Sequence, residues 1–156
     1  NSAYAFRYAV NTARQHNAKI YILHVIEPLP AQAKAVIRQY IDKSRYNQMR
    51  QDEKEHAQRR IEERLKRFAE RELKDDPETL KRVAGIHVVH GDPASEILSK
   101  TDEIGCDTII MGTHGRGSLR QAFLGSVSEK VLRRIHKPVY IIPLPKGRTD
   151  ISLKEI

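Results

Sequence analysis

The residues best suited to chemistry lie between Gly112 and Ser128. Gly112, Gly115 and Gly117 sit within six positions, and Gly125-Ser126 follows, with Ser128 two residues on. Glycine lets backbone approach a ligand closely and permits positive φ. Successive backbone N–H groups in such a loop can cradle an anion. Ser126 and Ser128 add hydroxyl donors, and Arg116 and Arg120 add positive charge. These residue types in this order point to phosphate binding. A structural reading covers part of the pattern. Ser126-Val127-Ser128-Glu129 fits a capping box, with Ser126 as N-cap and Glu129 at the third helical position. That accounts for Ser126 and Glu129 but not for three glycines before them.

The loop must be held by the elements around it. Residues 107–111 form an apolar run expected to be a strand, and Ser126 is expected to open a helix carrying Val127, Val131, Leu132 and Ile135. The connection, 112–124, is far longer than the roughly 2–6 residues usual for a strand-to-helix loop. Other nucleotide motifs are absent. No G-x-x-x-x-G-K-[ST] occurs, and Gly115-Arg116-Gly117-Ser118-Leu119-Arg120 lacks the third glycine of a dinucleotide fingerprint.

Upstream, Phe6, Ala9, Val10 and Ala13 recur at i, i+3, i+4, i+7, which predicts an amphipathic helix ending near Asn17. Residues 19–26 are rich in β-branched and apolar side chains and read as a strand buried on both faces, closed by Pro28 and Pro30. Residues 31–75 are mostly helical and highly charged. Val36, Ile37, Tyr40 and Ile41 make one apolar stripe, and Ile61, Leu65 and Phe68 another. Between them, 44–60 is polar and reads as an exposed helix or an irregular excursion. Residues 86–90 form a second strand. Asp92 then caps a helix with Pro93 at its first position and Ala94, Ile97 and Leu98 on its inner face. Residues 138–142 form the last strand.

Helices and strands alternate along the chain, which implies a parallel sheet with helices on both faces joined by right-handed crossovers. Ligands bind such sheets at the carboxyl ends of the strands. A strand preceding Asn1 is expected, because the pattern opens on a helix. The organisation expected is one α/β domain over 1–145 with a helical excursion at 31–75 and a tail at 146–156.

Composition narrows the alternatives. The 156 residues are 39% hydrophobic and 31% charged, a globular balance with no run of apolar residues long enough to span a bilayer. The formal net charge of +8 favours anionic partners. Around Arg59, Arg60, Arg64 and Arg67, however, acids alternate with bases, as on a solvated helix face, and no aromatic platform accompanies them. Nucleic acid ranks last among the partners weighed. The lone Cys106 excludes an intrachain disulfide and reads as a small buried hydrophobe. His24, His87, His90 and His114 lie on separate elements without carboxylate or cysteine partners at metal-ligand spacing. His114 falls in the phosphate loop. No catalytic residue is identified.

The spacing Gly112-x2-Gly115-x9-Gly125-Ser126 resembles the ATP-binding signature of the universal stress protein family. The flanks carry the likeness further. Leu23-His24-Val25 with Glu27-Pro28, Val89-His90-Gly91-Asp92-Pro93, residues 107–112 and residues 137–142 resemble successive strands of that family. The resemblance implies an open parallel sheet of about five strands, of the adenine nucleotide alpha hydrolase-like kind, its first strand preceding Asn1. It also implies a homodimer paired through residues 138–142. By position, Val25 would meet adenine through its backbone, and Met111 and Gly112 would line the nucleoside. Gly115, Arg116, Gly125, Ser126, Val127 and Ser128 would surround the phosphates, with His114 beside them. ATP, with Mg²⁺ as a companion, is the expected ligand. The function implied is a cytoplasmic, nucleotide-dependent stress-response regulator; a slow ATPase or phosphotransferase using the same site is the alternative.

Overall fold

The computed structural model describes residues 2–40, 42–113 and 124–143. Helix α1 (Ser2–His16) leads into strand β1 (Ile20–Ile26) through Asn17, whose φ of 53° turns the chain in the left-handed region. Then come α2 (Ala31–Tyr40), α3 (Lys43–Glu72), α4 (Pro77–Leu80), β2 (Val83–His90), α5 (Pro93–Ile104), β3 (Ile109–Gly112), α6 (Ser126–Leu132) and β4 (Val139–Ile142). The polar stretch 44–60 belongs to one continuous helix: α3 has 30 residues. Asp42 starts it, accepting the backbone N–H groups of Ser44 and Arg45. β2 begins three residues before its expected start, because Arg82 and Val83 pair with Ile20: the Ile20 N–H donates to the Arg82 carbonyl at 2.7 Å.

All strand pairing among the described residues is parallel. β1 pairs with β2, from Ile20↔Val83 to Ile26↔His90, and β3 pairs with β4, from Ile109↔Val139 to Gly112↔Ile142. The four strands therefore form two two-stranded sheets, where the sequence suggests one sheet of about five strands. Apolar runs locate strands but carry no record of which strand neighbours which. The pairing also explains the burial. Ile109, Ile110 and Met111 are only half-buried, although their composition suits a strand covered on both sides, because each strand here has a single hydrogen-bonded neighbour.

The main core joins three elements. Phe6, Val10 and Ala13 of α1 pack with Ile20 of β1 and with Ala69 and Leu73 at the end of α3. Phe6 and Phe68 meet edge to face at 5.2 Å between centroids. The Arg7 guanidinium donates to Glu72 at 2.8 Å beside this core, tying α1 to α3.

A second tie sits at the start of α4. Asp76 caps that helix through the Thr79 N–H at 3.0 Å and also pairs with Arg14 of α1. Hydrogen bonds from Thr79, with Arg14 adding to them, hold the Asp76 carboxyl at about 2. The sign follows: a depressed folded-state value stabilises above the unfolded value near 4 and is lost as pH falls through about 2. Acid titration of the unfolding midpoint should show this loss between pH ~4 and ~2. Asp76→Asn keeps a capping oxygen but cannot titrate, so it should flatten that part of the profile; an unchanged profile would rule Asp76 out as its source.

Candidate nucleotide site at the carboxyl edge

Both strand pairs end on one edge. β2 is followed by Gly91, whose N–H donates to the Ile26 carbonyl at the end of β1. Asp92 comes next and caps α5 through the Ser95 N–H at 3.1 Å, as Asp followed by Pro at the first helical position predicts. The Asp92 carboxylate lies 3.8 Å from Lys130 in α6, which follows the long loop after β3. At the far end of α5, Gly105 ends the helix at a φ of 70°, and Lys137, just before β4, lies 3.5 Å from Asp102. Thus α5 runs from the carboxyl edge to the amino edge and is tied to the second strand pair at both ends.

The loop after β3 is closed at its base. Thr113 donates its N–H to the Ile142 carbonyl at 3.1 Å and accepts the Gly125 N–H at 2.6 Å. The chain leaves at Thr113 and returns at Gly125 side by side. His114, Gly115 and Arg116 lie outside the described residues, as do Gly117 and Arg120.

The start of α6 differs from the capping box the sequence suggests. Gly125, not Ser126, is the N-cap, in extended backbone at φ −72°, ψ 155° and with no side-chain capping bond. The Glu129 N–H bonds the Gly125 carbonyl at 3.0 Å, which makes Ser126 the first helical residue. The physical reason is at the loop base. Gly125 is already fixed by its bond to Thr113, and helical geometry begins one residue earlier than Ser126 capping requires. The consequence is a first helical turn whose N–H groups take no side-chain partner among the described residues, with the exposed Ser126 beside it.

Ser128 has a different position. It is 3% exposed, and its hydroxyl donates to the Gly112 carbonyl at 3.1 Å. That bond clamps α6 onto the end of β3. Ser128→Ala should cost about 1 kcal/mol of stability, the usual value of a buried neutral hydrogen bond. Ser126→Ala, at an exposed and unbonded hydroxyl, should cost almost none. Chemical denaturation of the two variants checks this; equal losses would show that the Ser128 bond contributes nothing.

Val25 stands near the carboxyl end of β1, opposite Val89, and Met111 and Gly112 end β3. The structure therefore gathers Met111, Gly112, Gly125, Ser126, Val127 and Ser128 around one strand end. Val25 belongs to the other strand pair, on the same edge. His90 is a histidine to which the sequence assigns no ligand. It ends β2, and its Nε2 is buried without a hydrogen-bond partner among the described residues. Only its place at a strand end could have marked it in the sequence. No group of metal-binding side chains forms among the described residues, and no helix there is long and apolar enough to cross a membrane. Burial raises the Cys106 thiol, which suits an unreactive side chain.

Parallel strands flanked by helices, with a long glycine-rich loop leaving the carboxyl edge, define an α/β protein of the class that places its ligands at strand ends. The sequence profile described as the Universal stress protein family matches residues 1–143. The chain belongs to the universal stress protein family. Universal stress protein YxiE of Bacillus subtilis is 30% identical over 142 residues, covering 90% of each chain. Universal stress protein MJ0577 of Methanocaldococcus jannaschii is 28% identical over 80% of this chain and 76% of its own. Among solved structures, the universal stress protein UspA of Lactobacillus plantarum superposes with a TM-score of 0.55 at 20% identity, covering 88% of this chain and 86% of its own, a likeness of fold.

Proposed function

We propose that this chain is an ATP-binding regulator of the stress response, acting as a nucleotide-dependent sensor or interaction module in the cytoplasm. The observation that carries the reading is the loop base at the carboxyl edge. A glycine-rich segment departs and returns through the Thr113–Gly125 bond, beside a helical turn without a side-chain cap. Such N–H groups suit phosphate oxygens, and glycine at the cap leaves room for them. In this reading His114, Gly115 and Arg116 reach the phosphates from the loop, while Gly125, Ser126 and Val127 bind them from α6. Ser128 supports them from beneath through Gly112. Met111 and Gly112 line the nucleoside, and the Val25 backbone reads adenine. Completing that pocket needs a strand bridging β1 and β3 in a five-stranded sheet. Mg²⁺ would arrive on the phosphates, as it commonly does, with most of its shell from water and nucleotide.

The reading also includes a homodimer through β4. Among the described residues this strand has one hydrogen-bonded neighbour, β3, and its Tyr140 is 50% exposed. An edge with unpaired donors and acceptors invites a second strand.

The test is to denature the purified protein and identify the released nucleotide by mass, per mole of chain. ATP near one per chain supports the sensor. ADP or AMP transfers support to a slow ATPase or phosphotransferase at the same site. If none is released, and titration of the protein with ATP also gives no binding, the proposal fails.

A further inference from the structure

Part of the first half of α3 is open to solvent on every side. Its body-facing stripe runs through Ile61, Leu65 and Phe68 to Ala69, whereas residues 51–56 are exposed all round. Among the described residues, Met49 is the large hydrophobic that α3 exposes.

One face of this helix has a symmetric pattern of charge. Met49, 44% exposed, is at its centre. Arg45 and Glu53 lie four residues either side, about 6 Å along the axis and about 40° around it. Asp42 and His56 lie seven residues either side, about 10 Å along the axis and about 20° around it. Each pair joins a basic or hydrogen-donating side chain to an acidic one. All five residues are exposed, and none of them forms an ion pair among the described residues. Asp42 takes its capping bonds through Oδ1, which leaves Oδ2 for another donor.

We propose that this face docks a second copy of the chain, with the two α3 helices antiparallel about a two-fold axis at Met49. Arg45 then meets the partner's Glu53, Asp42 meets the partner's His56, and Met49 meets the partner's Met49. A two-fold interface requires such self-complementarity, residue i against j and j against i. Parallel packing would set Arg45 on the partner's Arg45 and Glu53 on the partner's Glu53, so charge selects the antiparallel arrangement. The methionine pair supplies an adaptable apolar centre. With so small a centre the pairing is weak and salt-sensitive. This interface is separate from β4 and does not depend on the nucleotide reading.

The experiment uses the full chain carrying Cys106→Ser and Met49→Cys, with a short bismaleimide to trap copies whose residue-49 positions meet. Gln51→Cys, on the opposite side of α3, is the control. Cross-linking at position 49 should be about tenfold faster than at 51, because proximity raises the effective thiol concentration. Arg45→Glu or Glu53→Arg should each reduce it to the control rate, and about 1 M salt should slow it. The double variant Arg45→Glu/Glu53→Arg restores the complementarity and should restore the rate. Equal rates at 49 and 51, single reversals without effect, or a double variant that stays at the control rate would each overturn the proposal. Positions 45, 49, 51 and 53 are exposed, and Cys106→Ser is near-isosteric, so circular dichroism should show folded protein throughout.

Discussion

Ser126→Asp is expected to weaken ATP binding by one to two orders of magnitude, about 1.4 to 3 kcal/mol, while leaving the fold as stable as before or slightly more so. The opposite signs come from one location. Ser126 is the first residue of α6 and is exposed, and no side chain among the described residues caps the turn it begins. A carboxylate there can accept the N–H groups of that turn and interacts favourably with the helix terminus, by roughly 0.3–1 kcal/mol. In the proposed complex the same groups belong to phosphate, so the carboxylate competes for them and repels the ligand. Ser126→Asn supplies a similar capping oxygen without charge and should lose far less affinity. Calorimetric titration with ATP, run beside thermal melts, separates the two effects. Ser126→Asp protein that binds ATP as tightly as the parent would place the phosphates elsewhere and remove α6 from the site.

The second large effect is on stability alone. Leu73→Ala should cost about 3 kcal/mol, within the 2–5 kcal/mol usual for a buried leucine. Leu73 is 1% exposed and closes the core formed by α1, β1 and the end of α3. The surrounding side chains come from three separate elements, so the space left by the isobutyl group cannot collapse by moving one of them. Against a typical total of 5–15 kcal/mol, this loss is severe. Urea unfolding should show a lower midpoint at unchanged slope. Val36→Ala, at a residue 56% exposed, should stay within about 0.5 kcal/mol of the parent. Leu73 packs beside Ile20, at the amino end of β1, so ATP affinity of the folded variant should stay within about twofold of the parent. A Leu73→Ala protein as stable as the parent would show that this core relaxes freely.

Much of the fold was legible because its signals are local. Apolar runs marked all four observed strands, Asp92-Pro93 marked the start of α5, and the 3.6-residue period marked α1. The family was legible in the spacing of Gly112, Gly115, Gly125 and Ser126, since a phosphate-type loop needs small residues at set intervals. The assignment of the cap was not. Ser126-Val127-Ser128-Glu129 reads as a capping box, yet Gly125 is the cap, because its bond to Thr113, just past the end of β3, fixes where helical geometry begins.

By itself, then, the sequence determined the elements, their order and the family, all of which follow from periodicity, turn chemistry and residue spacing along the chain. Tertiary structure decided which strands pair, that Thr113 and Gly125 close the loop, that Ser128 is spent on the Gly112 carbonyl, and that residues 51–56 of α3 stand clear of the core. Those outcomes depend on hydrogen bonds and packing between residues far apart in the chain. A backbone carbonyl offers the same acceptor at every position, so nothing local to Ser128 marks Gly112 as its partner.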